Sequence, residues 1–228
     1  MPDLTLAEVA KMFDHSLLQP TLTDADLDRG FQLARDYRVA SVCVKPYGVA
    51  RAARALAGSG VFVGTVIGFP QGGHASEIKV AEAEAAMADG AVELDMVVNV
   101  GKVLSTDYAY VRHDIAGVVD AAHRRGGRVK VIFENCYLQD EHKIELCRIC
   151  GEVGADWVKT STGYGESGAT EHDLKLMRTH SPPRVQVKAA GGVRSLDDVL
   201  RIRLLGVTRI GTTATEAILT EAKKKGME

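Results

Sequence analysis

The chain has 228 residues, 46% of them hydrophobic, and a formal net charge of −2 at pH 7. That length suffices for one sizeable core, and the balanced charge offers no basic face for duplex nucleic acid. No apolar run is of membrane-spanning length and no charged N-terminal segment leads into an apolar one, so a cytoplasmic protein without membrane or nucleic-acid partners is expected.

Along the chain, short β-rich apolar runs alternate with Ala/Leu/Glu/Arg-rich stretches of helical period. The run "HSLL" (15–18) precedes the helical "DADLDRGFQLARDY" (24–37), whose start is marked by the capping pair Thr23/Asp26. Next come "VASVCVK" (39–45) and "VFVGTVIGF" (61–69), with Gly58 ending the helix between them. The helical "HASEIKVAEAEAAMADG" (74–90) closes at Gly90, and "AVELDMVVN" (91–99) follows. "DYAYVRHDIAGVVDAAHRRG" (107–126) ends at Gly126 and leads into the strand "RVKVIFE" (128–134).

"HKIELCRICGEVGAD" (142–156) reads as one amphipathic helix closing at Gly154. Its Cys147 and Cys150 lie inside that helix, whereas a thioredoxin-type pair opens a helix after a strand. They read as buried small hydrophobes. The last strands are "DWVKTS" (156–161), "RVQVKAA" (184–190) and "VTRIGT" (207–212). Capping pairs at Thr170/Asp173, Ser195/Asp198 and Thr213/Glu216 mark the helices around them, and Lys223 to Lys225 form a solvated helix end.

Eight strand–helix units with no linker between them predict an α/β fold: a closed parallel TIM barrel forming a single domain over residues 1–228. An open doubly wound sheet is the alternative. The patterns of dinucleotide, P-loop, zincin and serine-hydrolase sites are missing.

Active groups of such barrels sit at the C-terminal strand ends, so polar residues inside the apolar runs carry the information. Asp95 in "VELDMVV", Lys159 in "WVKTS" and Lys188 in "VQVKAAGG" stand at matching places on three strands. An ammonium at a buried strand end costs several kcal/mol unless neutralised. Two lysines close together oppose each other's protonation, and a desolvated lysine beside a cation falls toward pKa ~7. A free amine with an acid to move protons is the equipment of Schiff-base chemistry on a carbonyl.

A second group of residues suits an anion. "AAGGVRS" (189–195) and "GTTATE" (211–216) put Gly and Thr ahead of helix starts after the seventh and eighth strands, where exposed N–H groups bind phosphate. The turn "STGYGESGAT" (161–170) is placed to close over the same anion. Four residues carry simpler readings: His15 makes a structural hydrogen bond, Glu134 contacts Lys188 or anchors a loop, His74 starts a helix, and Trp157 is core. Cys43 either faces the mouth or is plain core.

The blocks "FDHSLLQP", "SVCVKPY", "TVIGFPQG", "VELDMVVNVG", "KVIFEN", "VKTSTG", "VKAAGGVR" and "RIGTTA" resemble, in order from Asp14 to Ala214, those of the deoxyribose-phosphate aldolase family. The resemblance implies a metal-independent class I aldolase needing no cofactor, which cleaves 2-deoxy-D-ribose 5-phosphate, a phosphorylated aldehyde sugar, to acetaldehyde and D-glyceraldehyde 3-phosphate. By it Lys159 is the Schiff-base lysine, Lys188 the amine that lowers its pKa, and Asp95 the proton relay. Gly163, Gly191, Gly192, Gly211, Thr212 and Thr213 are expected at the substrate phosphate, with Cys43 and Thr160 as further substrate contacts. A homodimer or homotetramer is expected.

The chain departs from the family pattern at Gln19, where many relatives have lysine, at Glu166 beside the expected phosphate, and at a Thr-rich last anion loop. The closest alternative is a lysine aldolase of the same scaffold with another or an unphosphorylated aldehyde. A barrel isomerase would need no pair of buried lysines, and a non-catalytic phosphate-binding module would leave the trio without purpose.

Overall fold

The computed structural model describes residues 4–227. After the short helix α1 (Leu6–Ala10), eight strands alternate with helices: β1 (Phe13–Leu17), α2 (Asp24–Tyr37), β2 (Ser41–Val44), α3 (Val49–Ala55), β3 (Phe62–Ile67), α4 (Ser76–Ala88) and β4 (Glu93–Val97). Then follow α5 (Val100–Leu104), α6 (Tyr108–His123), β5 (Arg128–Ile132), α7 (Asp140–Val153), β6 (Trp157–Lys159), α8 (Glu171–His180), β7 (Gln186–Ala190), α9 (Leu196–Leu204), β8 (Val207–Thr212) and α10 (Thr215–Lys224). The strands pair in parallel in sequence order, and β8 returns to β1 through Phe13–Ile210 and Asp14–Gly211. The sheet is therefore a closed barrel, as the alternation predicts, and the open-sheet alternative falls.

Strand alternation sorts the side chains. Leu94, Met96, Val129, Val131, Val158 and Val187 are fully buried in the layer between barrel and helices. Burying each such side chain is worth about 1.5–3 kcal/mol. Their strand neighbours Glu93, Asp95, Lys130, Lys159 and Lys188 point the other way, into the barrel, and are buried too. Register then sets charged residues side by side: Asp95 pairs with Lys130, and Lys159 with Lys188.

Several boundaries differ from the sequence reading. β1 begins two residues before His15, because Phe13 pairs with β8 and Asp14 with both β2 and β8. α4 starts at Ser76, leaving His74 exposed ahead of it. The boxes at Thr23/Asp26 and Ser195/Asp198 form, and Thr170 accepts from Asp173 N. The pair Thr213/Glu216 does not form a cap: α10 starts at Thr215 after Ala214, with no side-chain capping bond. Thr212 supplies the local bond instead, its Oγ1 accepting from Ala214 N. Gly58, Gly90, Gly126 and Gly154 all take the left-handed conformation expected of helix ends. Cys147 and Cys150 are buried within α7, each with its thiol pushed up by burial.

Candidate active site

Lys159, the last residue of β6, and Lys188, on β7, reach the same atom: each Nζ donates to Asp95 Oδ2 at 2.7 Å. Lys159 is 3% exposed and Lys188 1%, so neither snorkels to solvent. Burial is the largest influence on Lys159 and favours the neutral amine; Asp95 opposes it, Lys188 adds to it, and the pKa comes out below the ordinary lysine value. Burial acts on Lys188 in the same direction, but Asp14 and Asp95 outweigh it, and its pKa is raised. The two amines thus differ in kind: Lys188 keeps its proton and Lys159 is the one disposed to lose it. Asp95 opposes its own burial with three ammonium partners, Lys130, Lys159 and Lys188, which hold it well below the usual carboxylate range.

Four further charged side chains, absent from the sequence reading, complete the interior. Asp14 Oδ2 accepts from Lys188 Nζ at 2.5 Å, and its Oδ1 from Arg209. Lys130 Nζ lies 2.9 Å from Asp95, 2.7 Å from Glu93 and 3.3 Å from Asp14. Arg209 also donates to Glu93, at 2.8 and 3.1 Å. Trp157, buried as expected, faces the cations of Lys130 and Arg209 at 5.7 and 5.3 Å from its ring centre. Glu93, Lys130 and Arg209 stand in the sequence as charges inside apolar runs, whereas Asp14 precedes the run that begins at His15. Glu93 was the most legible, since it stands two residues before Asp95 and so shares its face.

Above this floor opens a cavity of ≈ 490 Å³. Lys159, Lys188, Asp14 and Cys43 line its depth, and Asp95 sits behind the amines without lining it. Gly163, Gly191, Gly192, Gly211, Thr212 and Thr213 form its rim, all brought together as expected. Gly191 and Gly192 have φ of 79° and 87°, a left-handed pair that side chains disfavour. Gly211 leaves room for the stem of Lys188: a Cβ there would stand 3.4 Å from Lys188 Cε. Arg194 also lines the rim; it lay in the quoted "AAGGVRS", and its approach to the cavity depends on the Gly-Gly turn.

Other expectations resolve differently. Thr160 does not line the cavity; its Oγ1 accepts from Ala190 N at 3.1 Å and donates to Ala190 O at 3.3 Å, clasping β6 to β7. Cys43 does reach the cavity, and burial pushes its thiol up to about 11. Glu134 anchors a loop: in a left-handed conformation at φ 56°, it accepts from Thr162 N at 3.0 Å and from the Thr162 hydroxyl. Glu166 is exposed and lies outside the cavity lining. Gln19 lines the cavity at an exposed edge, and Lys45 Nζ donates to its carbonyl at 2.9 Å. Tyr164, on the β6–α8 loop, donates to Leu18 O at 2.9 Å and packs edge-on against Phe69, roofing the side opposite the glycine turn. His15 makes its structural bond, Nδ1 to Thr215 Oγ1 at 3.0 Å.

Chemically, the arrangement offers one buried amine disposed to be neutral, one ammonium beside it, a carboxylate joining them, and a glycine- and threonine-rich rim suited to an anion. Residues 8–209 match the profile of the DeoC/LacD family aldolases. The deoxyribose-phosphate aldolase of Rhodopirellula baltica is 58% identical over 225 residues, covering 99% of this chain and 93% of that protein. That of Thermococcus kodakarensis is 46% identical over 217 residues, covering 94% and 97%. Among solved structures, the deoxyribose phosphate aldolase from Aeropyrum pernix superposes with a TM-score of 0.89 at 31% identity, over 96% of this chain and 92% of that one.

Proposed function

Since this chain belongs to the DeoC/LacD family of aldolases, we propose that it catalyses reversible cleavage of 2-deoxy-D-ribose 5-phosphate to acetaldehyde and D-glyceraldehyde 3-phosphate. The observation that carries the reading is the pair of buried amines on one oxygen of Asp95, at the floor of a cavity rimmed by Gly191, Gly192 and Thr213.

In this reading the neutral Lys159 amine attacks the open-chain aldehyde carbon, and the adduct loses water to form a protonated imine. A base removes the proton of the hydroxyl on the third carbon. The electrons of the bond between the second and third carbons pass into the imine, releasing glyceraldehyde 3-phosphate and leaving an enamine. Protonation of the enamine and hydrolysis return acetaldehyde and the free amine. Lys188 keeps its proton and is the donor near the reacting atoms. Asp95, ionised in the resting site, holds both amines in place and passes protons through water by taking one up transiently. The phosphate rests at the glycine and threonine rim, with the Arg194 guanidinium at its edge.

The proposal extends to a cytoplasmic enzyme that assembles from identical copies. No helix among the described residues is long and apolar enough to cross a membrane, and the relative from Aeropyrum pernix is described as a tetramer. Scattering-detected gel filtration measures the assembly, and a monomer at all concentrations would refute it.

Steady-state kinetics on deoxyribose 5-phosphate and on unphosphorylated deoxyribose test the activity. We expect glyceraldehyde 3-phosphate and acetaldehyde in equal amounts from the first, and a kcat/KM for the second lower by at least ~10²-fold, since it lacks the charged contacts of the rim. Equal efficiency on both would point to the alternative, a lysine aldolase with an unphosphorylated substrate.

A further inference from the structure

The ions inside the barrel do not balance if all are charged. Asp14, Glu93 and Asp95 face four buried cations, Lys130, Lys159, Lys188 and Arg209, apart from the partly exposed Arg128 on Glu93. One proton fewer makes the cluster neutral, three against three, and a buried cluster favours neutrality because net charge in a low-permittivity interior is costly. Contact geometry selects which cation gives it up. Lys130 touches three carboxylates, while Lys188 and Arg209 touch two each. Lys159 touches only Asp95, and of the two amines on that oxygen it is the less supported.

We propose that Arg209 and Glu93, neither of which lines the cavity, are positioning residues that set the protonation of Lys159 by fixing the charge balance of the barrel interior. Their ion pair joins β8 to β4 one layer beneath the amines, and Arg209 also holds Asp14, the second carboxylate of Lys188. Removing the Arg209 charge leaves three carboxylates with two fixed cations, and Lys159 is the group able to supply the third. Removing the Glu93 charge does the reverse and presses Lys159 further toward the free amine.

The titratable groups of the barrel interior enter this balance strand by strand. β1 contributes Asp14; β4, Asp95 and Glu93; β5, Lys130; β7, Lys188; β8, Arg209; and β2, the thiol of Cys43, whose own pKa is raised. β3 carries no ionisable side chain. Arg128 reaches Glu93 at 3.0 Å from the solvent side, where its charge is screened.

This inference rests on the reading of Lys159 as an imine-forming amine, and the test separates the two. The pH dependence of Lys159 modification by acetaldehyde and cyanoborohydride, read by mass spectrometry, is compared for wild type, Arg209→Met, Glu93→Gln and the double variant. The midpoint should move up by about one pH unit in Arg209→Met, the effect of one unit charge a few ångströms beyond the first contacts at interior permittivity. It should move down in Glu93→Gln and return close to wild type in the double variant, where one charge of each sign is gone. A purely structural role would lower the yield in both single variants without opposite shifts. If Arg209→Met does not fold, the downward shift in Glu93→Gln and its reversal in the double variant decide the matter. No adduct in the wild type would refute the imine reading. Adduct in the wild type with midpoints unmoved, or moved in the same direction, would overturn the charge-balance proposal alone.

Discussion

At the scale of single residues the account depends on which amine is uncharged. Lys159→Arg keeps a cation on Asp95 but cannot be deprotonated in a protein, so turnover should be lost while the melting curve stays cooperative. Normal turnover in a folded Lys159→Arg protein would exclude the imine. Lys188→Leu and Asp95→Asn should each lower kcat by ~10²–10⁴-fold with smaller changes in KM, the usual worth of a proton-transfer role. Lys188→Leu should also recover part of its loss at higher pH, since Lys159 without its cationic neighbour keeps its proton longer. Losses confined to KM would mean that these residues bind substrate and move no protons.

His15 gives an independent residue-scale test. Burial lowers its pKa from 6.5 to about 4, so the unfolded chain takes up the proton first as pH falls. Stability contributed by the neutral ring is full above the unfolded value and declines as pH drops toward about 4, by as much as about 3 kcal/mol. Denaturant melts of wild type and His15→Asn across that window should converge as pH falls; parallel curves would contradict the assignment. The sequence made the trio Asp95, Lys159 and Lys188 legible because charge in an apolar run is conspicuous. It did not single out Lys130 and Arg209, because period alone does not say which face of a strand turns inward, and it left Asp14 outside the run that begins at His15; only barrel closure puts all three inside.

At the scale of elements, the rim depends on two backbones in close contact. Gly168, on the β6–α8 loop, lies against Gly191, and a Cβ added there would collide with the Gly191 carbonyl. Ala169 N donates to both Ala190 O and Gly191 O at 3.1 Å, holding that contact. Gly168→Ala should therefore push the loop away from the glycine turn. We expect a KM for deoxyribose 5-phosphate raised about tenfold, near 1.4 kcal/mol, with less change for the unphosphorylated sugar. An unchanged KM for the phosphorylated sugar would show that the anion does not rest at this turn. Strand existence and helix ends at glycine were readable because period and cap chemistry are local. The cap at Thr213 was misread because two threonines in succession offer equivalent hydroxyls, and Thr212 makes the bond while Thr213 lines the cavity. Likewise the hydroxyl of Thr160 is engaged by Ala190 across the β6–β7 ladder, a partner that only register reveals.

At the scale of the whole molecule, the barrel encloses a network of ions beneath a cavity that Lys159 and Lys188 line. The alternation of eight strands with helices implied the closed sheet, and strand-end position implied which lysines meet. Which carboxylate serves which cation was beyond the sequence, because it depends on stagger: Lys188 pairs with Arg209 across β7–β8 only through an irregularity at Val187 and Lys188. That stagger joins the chain's two ends as well, since the Asp14–Arg209 pair crosses the seam between β1 and β8.

The central claim is that Lys159, alone among these buried cations, is free to become a nucleophile. Peptide mapping after incubation with acetaldehyde and borohydride tests it most directly. The account predicts a reduced two-carbon adduct on Lys159 at neutral pH, with Lys130 and Lys188 unmodified. An adduct on Lys188 in preference to Lys159, or on none of the three, would contradict it.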